Sequence, residues 1–358
     1  MKILHVITSL HTGGAEKLMV DLLPRFRAAG HDVDLLVFDG ADTPFKESLR
    51  QKDIRIFELG RPRSVYRPDN ILRLRPYLDT YDIVHTHNTA CQYYVAAAQR
   101  LFGGRAKLVT TEHSTDNRRR RLPGFRHLDS WMYRRYARIV CISDQTEANL
   151  RRHAGDLATI RTIPNGVDTR CFRDASPCDR RTLGIPPEAR LVVQIAAFRP
   201  EKDQKTLIRA ISLLPENYHA LFVGDGVCRS ECEALAATSD AASRIRFAGI
   251  RTDVPQLLKT ADLVVMSSHW EGFGLAAVEG MAAHKPVLAT DVPGLREVVE
   301  GAGVLFEHEN PQQLADSIRR LTDDPALYAE TADRCAARAA EYDIAKMAEA
   351  YLQTYQSL

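Results

Sequence analysis

Leu263-Val264-Val265-Met266-Ser267-Ser268-His269-Trp270-Glu271-Gly272-Phe273-Gly274-Leu275-Ala276-Ala277-Val278-Glu279 packs a strand, a loop and the start of a helix into one short stretch. The apolar run 263–266 has no polar alternation, so it reads as a strand buried on both faces, as in a helix-covered parallel sheet. Small and apolar residues from Leu275 to Ala283 suit a helix lying on that sheet. Gly272 and Gly274 precede it and leave backbone N–H groups open at the positive helix end. Glu271 sits in the loop and Glu279 about one turn inside the helix.

The same alternation extends outward in both directions. Leu191–Ala196, Ala220–Val223, Ile245–Phe247, Val287–Ala289 and Val304–Phe306 join Leu263–Met266 as one set of buried strands. An earlier set comprises Lys2–Thr8, Asp32–Phe38, Ile54–Glu58, Ile83–His87, Lys107–Thr111, Ile139–Ile142 and Thr159–Ile163. Helical patterns separate the strands, which argues for parallel α/β architecture. The first set ends at Ile163-Pro164-Asn165-Gly166-Val167-Asp168, a strong turn signal. The proline-bearing stretch Arg170–Glu188 reads as a linker. The expected organisation is two doubly wound Rossmann-like domains, residues 1–169 and 188–343, facing across a cleft. Ligands in such sheets bind beyond the carboxyl ends of the strands.

Composition agrees with two ordinary globular domains: 358 residues, 45% hydrophobic and 26% charged, which excludes a mainly disordered or collagen-like chain. Seven scattered cysteines are an odd number with no metal-ligand spacing, so a reducing cytoplasm is expected rather than a disulfide framework. No apolar run approaches the roughly 18 residues of a membrane span. The net charge of +2 divides into about +8 over residues 1–169 and about −6 over the remainder, so the two domains are expected to meet different partners.

Several loops carry candidate chemistry. One carboxylate at Glu271 and one at Glu279 would grip hydroxyls of a ligand whose phosphates sit at the helix end between them, which is the layout of a sugar nucleotide. The alternative is a helix cap plus a surface glutamate. Gly13 and Gly14 follow the first strand and open a helix; their spacing is not the dinucleotide GxGxxG, which rejects a nicotinamide enzyme. His85 and His87 share one strand face, but no third ligand stands at a convincing position, so no metal is expected. Arg118, Arg119, Arg120 and Arg121 precede Trp131 on an amphipathic stretch. They suit an anionic membrane surface, the pyrophosphate of a lipid-linked acceptor, or merely a solvated loop. No nucleic-acid module is present, so nucleic acid is not an expected partner.

Taken together, EGFGLAAVEGMAAHKPVLATDVPG (271–294), GGAE (13–16), DIVHTHN (82–88), TTEHST (110–115), CISD (141–144), IPNGVD (163–168), FRPEKD (198–203) and VGDG (223–226) resemble the retaining glycosyltransferases of family 4, with the GT-B fold. The resemblance covers nearly the whole chain. It implies that Glu271 contacts the transferred sugar and Glu279 the ribose. Phe273, Gly274 and Leu275 would offer backbone N–H groups to sugar and diphosphate, and Lys202 would bind diphosphate. Gly249, Ile250 and Arg251 would line the base pocket, Gly13 and Gly14 would cap the diphosphate, and His113 would face the reacting sugar. The family's usual arginine position is Ala197 here, so Arg199 is the expected substitute. The helix 344–358 would pack back on the first domain. The implied reaction is metal-independent hexosyl transfer from a nucleotide sugar, UDP-linked before GDP-linked, to a glycan or lipid-linked acceptor. It would serve surface polysaccharide biosynthesis, without a cofactor, in the cytoplasm or peripherally on the membrane. Two rivals stay open: a sugar-nucleotide 2-epimerase on the same fold, and a non-catalytic binding subunit.

Overall fold

The computed structural model describes residues 1–11, 13–60, 65–114, 120, 122 and 124–358. Its contacts divide the chain into two compact units, Met1–Gly166 with Ile344–Leu358, and Val167–Asp343.

The first unit holds β1 (Lys2–Ile7), β2 (Asp32–Val37), β3 (Arg55–Glu58), β4 (Ile83–Thr86), β5 (Lys107–Glu112), β6 (Arg138–Cys141) and β7 (Ile160–Thr162). All pair in parallel, in the order β3-β2-β1-β4-β5-β6-β7. The second holds β8 (Arg190–Ile195), β9 (Tyr218–Val223), β10 (Ile245–Phe247), β11 (Leu263–Met266), β12 (Val287–Thr290) and β13 (Val304–Phe306), again parallel, ordered β10-β9-β8-β11-β12-β13. Every strand read from the sequence is present, within two residues of its expected ends.

Parallel pairing forces each chain return through a helix, and helices cover both faces. Continuous apolar strands such as Leu263–Met266 are buried throughout for that reason. In each sheet the strand order reverses once, between β1 and β4 and between β8 and β11. Loops leaving the two strands at such a point diverge and open a crevice at the carboxyl edge.

The helix Ile344–Gln356 belongs to the first unit, burying Met347, Tyr351 and Tyr355 against Phe26 and neighbouring core residues. Gly166 explains the Asn-Gly turn: a Cβ there would lie 2.7 Å from the Ile344 Cα, and its N–H donates to Met347 Sδ at 3.0 Å. The stretch Arg170–Glu188 departs from the linker reading. It contains a helix (Thr169–Arg173) and a 3-10 turn (Arg180–Leu183). Arg180 donates to both Asp262 carboxylate oxygens, at 2.9 and 3.0 Å, and to the Thr260 carbonyl at 2.9 Å. These bonds fasten it beside the start of β11, so its prolines shape a docked strap.

Candidate functional site

In the second unit the loops after β8 and β11 meet at the reversal of strand order. The β8 loop closes in a 3-10 turn, Pro200–Lys202, followed by Asp203 at φ 40°, whose carboxylate caps the next helix through the Thr206 N–H. Two buried polar side chains brace this turn from below. Gln194 Nε2 donates to the Lys202 carbonyl at 3.1 Å and to Ser267 Oγ at 2.9 Å, while Ser267 Oγ donates to the Asp203 carbonyl at 2.7 Å. The His269 N–H donates to the Glu201 carbonyl at 2.8 Å and ties the two loops directly.

That bracing carries Lys202 Nζ onto Glu271 Oε1 in a half-buried ion pair. Ser268 Oγ donates to the same carboxylate oxygen at 3.0 Å. The two residues with the strongest expected roles are therefore side by side although 69 positions apart. Ordered charges in a crevice that excludes part of the solvent act more strongly than in water.

Glycine geometry shapes the rest. Gly274 caps the helix Leu275–Ala282 at φ 84°, and a Cβ there would strike Leu295 at 2.7 Å. Gly294 (φ 88°) lies against the Glu271 backbone, where a Cβ would come within 2.4 Å of the carbonyl oxygen. Phe273 is buried edge-on to Tyr342, with ring centroids 5.1 Å apart. It anchors the loop so that the first N–H groups of the helix, which have no intrahelical acceptor, stay at the crevice. Leu275 and Glu279 sit one turn apart on this helix and are partly exposed. Gly224 and Gly226 pack against the Ala196 and Phe198 carbonyls, closing the β9 loop onto the β8 loop. The Gly249 carbonyl accepts from the Gly224 N–H at 2.8 Å, and Ile250 is exposed. Arg251 is held bidentately by Asp253 at 2.8 and 2.6 Å. Arg199 is exposed beside Lys202, and its side chain makes no ion pair or hydrogen bond among the described residues.

In the first unit Gly13 caps the helix Gly14–Ala28 in extended conformation, and the Glu16 carboxylate folds back to within 2.3 Å of where a Gly13 Cβ would stand. At the β1/β4 reversal, on the strands themselves and just past their ends, lies a largely buried polar cluster. His5 Nδ1 and His87 Nε2 are 2.8 Å apart, and His87 Nδ1 and His113 Nε2 are 3.0 Å apart. His85 contacts the Tyr355 hydroxyl through Nδ1 (2.6 Å) and Thr111 Oγ1 through Nε2 (2.8 Å), and the Tyr351 hydroxyl completes the group at Thr111. Burial disfavours the charged imidazolium. It pushes His5 down to about 3, His113 down to about 4 despite the opposing pull of Glu112, and His85 and His87 well below the ordinary value. The third histidine absent from the metal reading of His85 and His87 is His5: the three rings bring ligand atoms within 4.8 Å of one another. Their nitrogens are engaged mainly with each other, Tyr355, Thr111 and His113.

The basic segment requires a correction. Arg118, Arg119 and Arg121 lie outside the described residues. Arg120 is not a surface charge: it is nearly buried and paired with Glu112 at 3.1 Å, where Tyr133 also donates at 2.8 Å. Its charge is spent on a carboxylate that would otherwise be stranded at the end of β5. Trp131 likewise packs against the first unit's core, with the Arg135 guanidinium over its ring. No helix among the described residues is long and apolar enough to cross a membrane.

Sequence reasoning missed His5, Gln194, Ser267, Ser268 and the two tyrosines. A histidine within an apolar strand (Leu4-His5-Val6) was the available signal for the first. The others are ordinary polar residues; the partners of Ser267 and the two tyrosines are distant in sequence, and those of Ser268 and Gln194 include loop residues nearby that no local pattern marks.

Comparison with known proteins agrees with this geometry. Residues 176–342 match the model of glycosyl transferases group 1, and residues 12–170 that of glycosyltransferase family 4. The chain is 30% identical to EpsD of Bacillus subtilis over 288 residues, covering 74% of this chain and 75% of that one. It is 26% identical to the lipopolysaccharide core biosynthesis mannosyltransferase LpsB of Rhizobium meliloti, over 96% and 94% of the two chains. Among solved structures, Anabaena Alr3699/HepE in complex with UDP and glucose superposes with a TM-score of 0.89 at 25% identity, over the full length of both. The chain thus belongs to the glycosyltransferases of group 1 and family 4, with the GT-B fold.

Proposed function

We propose that this glycosyltransferase moves a hexosyl group from a UDP-sugar to a glycan or lipid-linked acceptor, with retention of configuration, in surface polysaccharide biosynthesis. The observation that carries the reading is the joining of Lys202 and Glu271 beside the helix Leu275–Ala282. From that spacing the ammonium can turn to a diphosphate and the carboxylate to sugar hydroxyls. The UDP and glucose named for HepE, and the lipopolysaccharide role named for LpsB, support the donor and the pathway class.

In the proposed reaction the acceptor hydroxyl attacks the anomeric carbon on the face from which the phosphate departs. The bond from C1 to the phosphate oxygen breaks, a bond from C1 to the acceptor oxygen forms, and the acceptor proton passes to the leaving phosphate. Lys202, Arg199 and the helix N-terminus stabilise the charge on that phosphate. With that charge met by protein groups, no metal ion is required. The first unit takes the acceptor.

A thermal-shift screen of nucleotide sugars tests the donor, because a ligand that binds only the folded state raises the melting temperature. A UDP-sugar should give the largest shift, and a larger shift with GDP-sugars would overturn the assignment. Transfer should persist in excess EDTA. Glycosyl transfer to an acceptor, rather than epimerisation of the free donor, separates this reading from the 2-epimerase.

A further inference from the structure

We propose that His87 and His5 are positioning residues that fix the tautomer of His113, so that its Nδ1 carries the proton and donates to an oxygen of the ligand taken by the first unit. The significance for catalysis rests on the reading above, in which the first unit takes the acceptor.

The three rings are linked in series. His5 Nδ1 meets His87 Nε2, and His87 Nδ1 meets His113 Nε2. A neutral imidazole has one donor nitrogen and one acceptor nitrogen. Three neutral rings joined in this way can carry their protons in only two consistent patterns. In one, His113 Nε2 donates inward, His87 Nε2 donates to His5, and His5 is left with an N–H on Nε2. In the other, His5 Nδ1 donates to His87 Nε2, His87 Nδ1 donates to His113 Nε2, and His113 carries its proton on Nδ1.

The far end of the chain chooses between them. His5 Nε2 is fully buried and has no hydrogen-bond partner. The inward pattern would place an N–H donor there, and a buried N–H without an acceptor is rare. The outward pattern leaves only an unused lone pair. Beside this chain, His85 spends both nitrogens on Tyr355 and Thr111 and offers neither to His87. The ring stacking of His85 on His87, with centroids 4.3 Å apart, holds the middle ring in plane. At the near end, His113 Nδ1 has no partner among the described residues, and the residue is only half-buried.

The test is a long-range nitrogen–proton correlation spectrum of protein labelled with 15N-histidine, near pH 7, with His113 assigned by the loss of its signals in His113→Asn. The proton of His113 is expected on Nδ1. A proton on Nε2 overturns the proposal, and since that spectrum is taken on the wild type, a variant that fails to fold leaves the decision intact. His87→Leu should release the constraint and give His113 a mixture of tautomers, with kcat lowered about tenfold, the scale of one lost hydrogen bond. His87→Asn, which keeps an N–H near the Nδ1 position, should restore both. An unchanged tautomer in His87→Leu removes His87 from the role. The spectrum needs neither donor nor acceptor. Nδ1 protonation combined with full turnover in His113→Ala would uphold the chain and overturn the placing of His113 against the bound ligand.

Discussion

Acidification from pH 7 to pH 5 should destabilise the first unit through its histidines. In the unfolded chain each imidazole takes up a proton as the pH falls through 6.5. In the folded chain His5 stays neutral down to about 3 because it is fully buried, and His113 down to about 4 because it is partly buried. Between those values and 6.5 the unfolded state binds more protons, so stability is fully present above 6.5 and is lost as the pH falls. The slope is about 1.4 kcal/mol per pH unit for each ring. From pH 6.5 to 5 the loss is about 2 kcal/mol for His5 and about 4 kcal/mol for His5 and His113 together. His85 and His87 act in the same direction. Against a typical domain stability of about 5–15 kcal/mol this is a large fraction. Urea unfolding followed by far-UV circular dichroism at the two pH values measures it, with slopes for small proteins of about 1–3 kcal/mol per molar urea. His5→Asn removes one titrating ring and should recover about 2 kcal/mol of the loss. A wild-type midpoint that does not move between pH 7 and 5, or a loss of equal size in His5→Asn, would refute the reasoning.

Other outcomes follow from single contacts. Tyr355→Phe removes the hydroxyl 2.6 Å from His85 Nδ1 and should cost about 1–3 kcal/mol in urea unfolding, since a buried nitrogen is left unpaired; an unchanged midpoint would count against the cluster as a structural tie. Lys202→Met strands the Glu271 carboxylate and deletes the diphosphate cation, so calorimetry should show nucleoside diphosphate affinity down roughly 10- to 150-fold, and equal affinity would remove Lys202 from the donor site. Gly294→Ala forces a Cβ to within 2.4 Å of the Glu271 carbonyl at a positive φ, so donor binding should fall while circular dichroism stays native; intact binding would show that the loop adapts.

What the sequence determined by itself was the local layer. Apolar runs too short for helices, separated by helical patterns, specify parallel sheets because such strands have no solvent face. Leu263–Met266 and Ile83–His87 were legible for that reason, and Glu271, Glu279 and the glycines of the helix entrance were legible because they stand in one continuous stretch. Only the tertiary structure decided how separate stretches meet. The Lys202–Glu271 pair forms because the strand order reverses between β8 and β11, and no local pattern encodes that neighbourhood. Arg120 sits in a charge run and looks like solvent, yet it is drawn inward by the buried Glu112, whose desolvation cost demands a partner. His5, His85 and Tyr355 form one cluster because β1 and β4 lie side by side and a helix some 270 residues further on closes over them. Periodicity shows which residues leave the water, but a buried polar group takes its meaning from its partner, and that partner is chosen by topology.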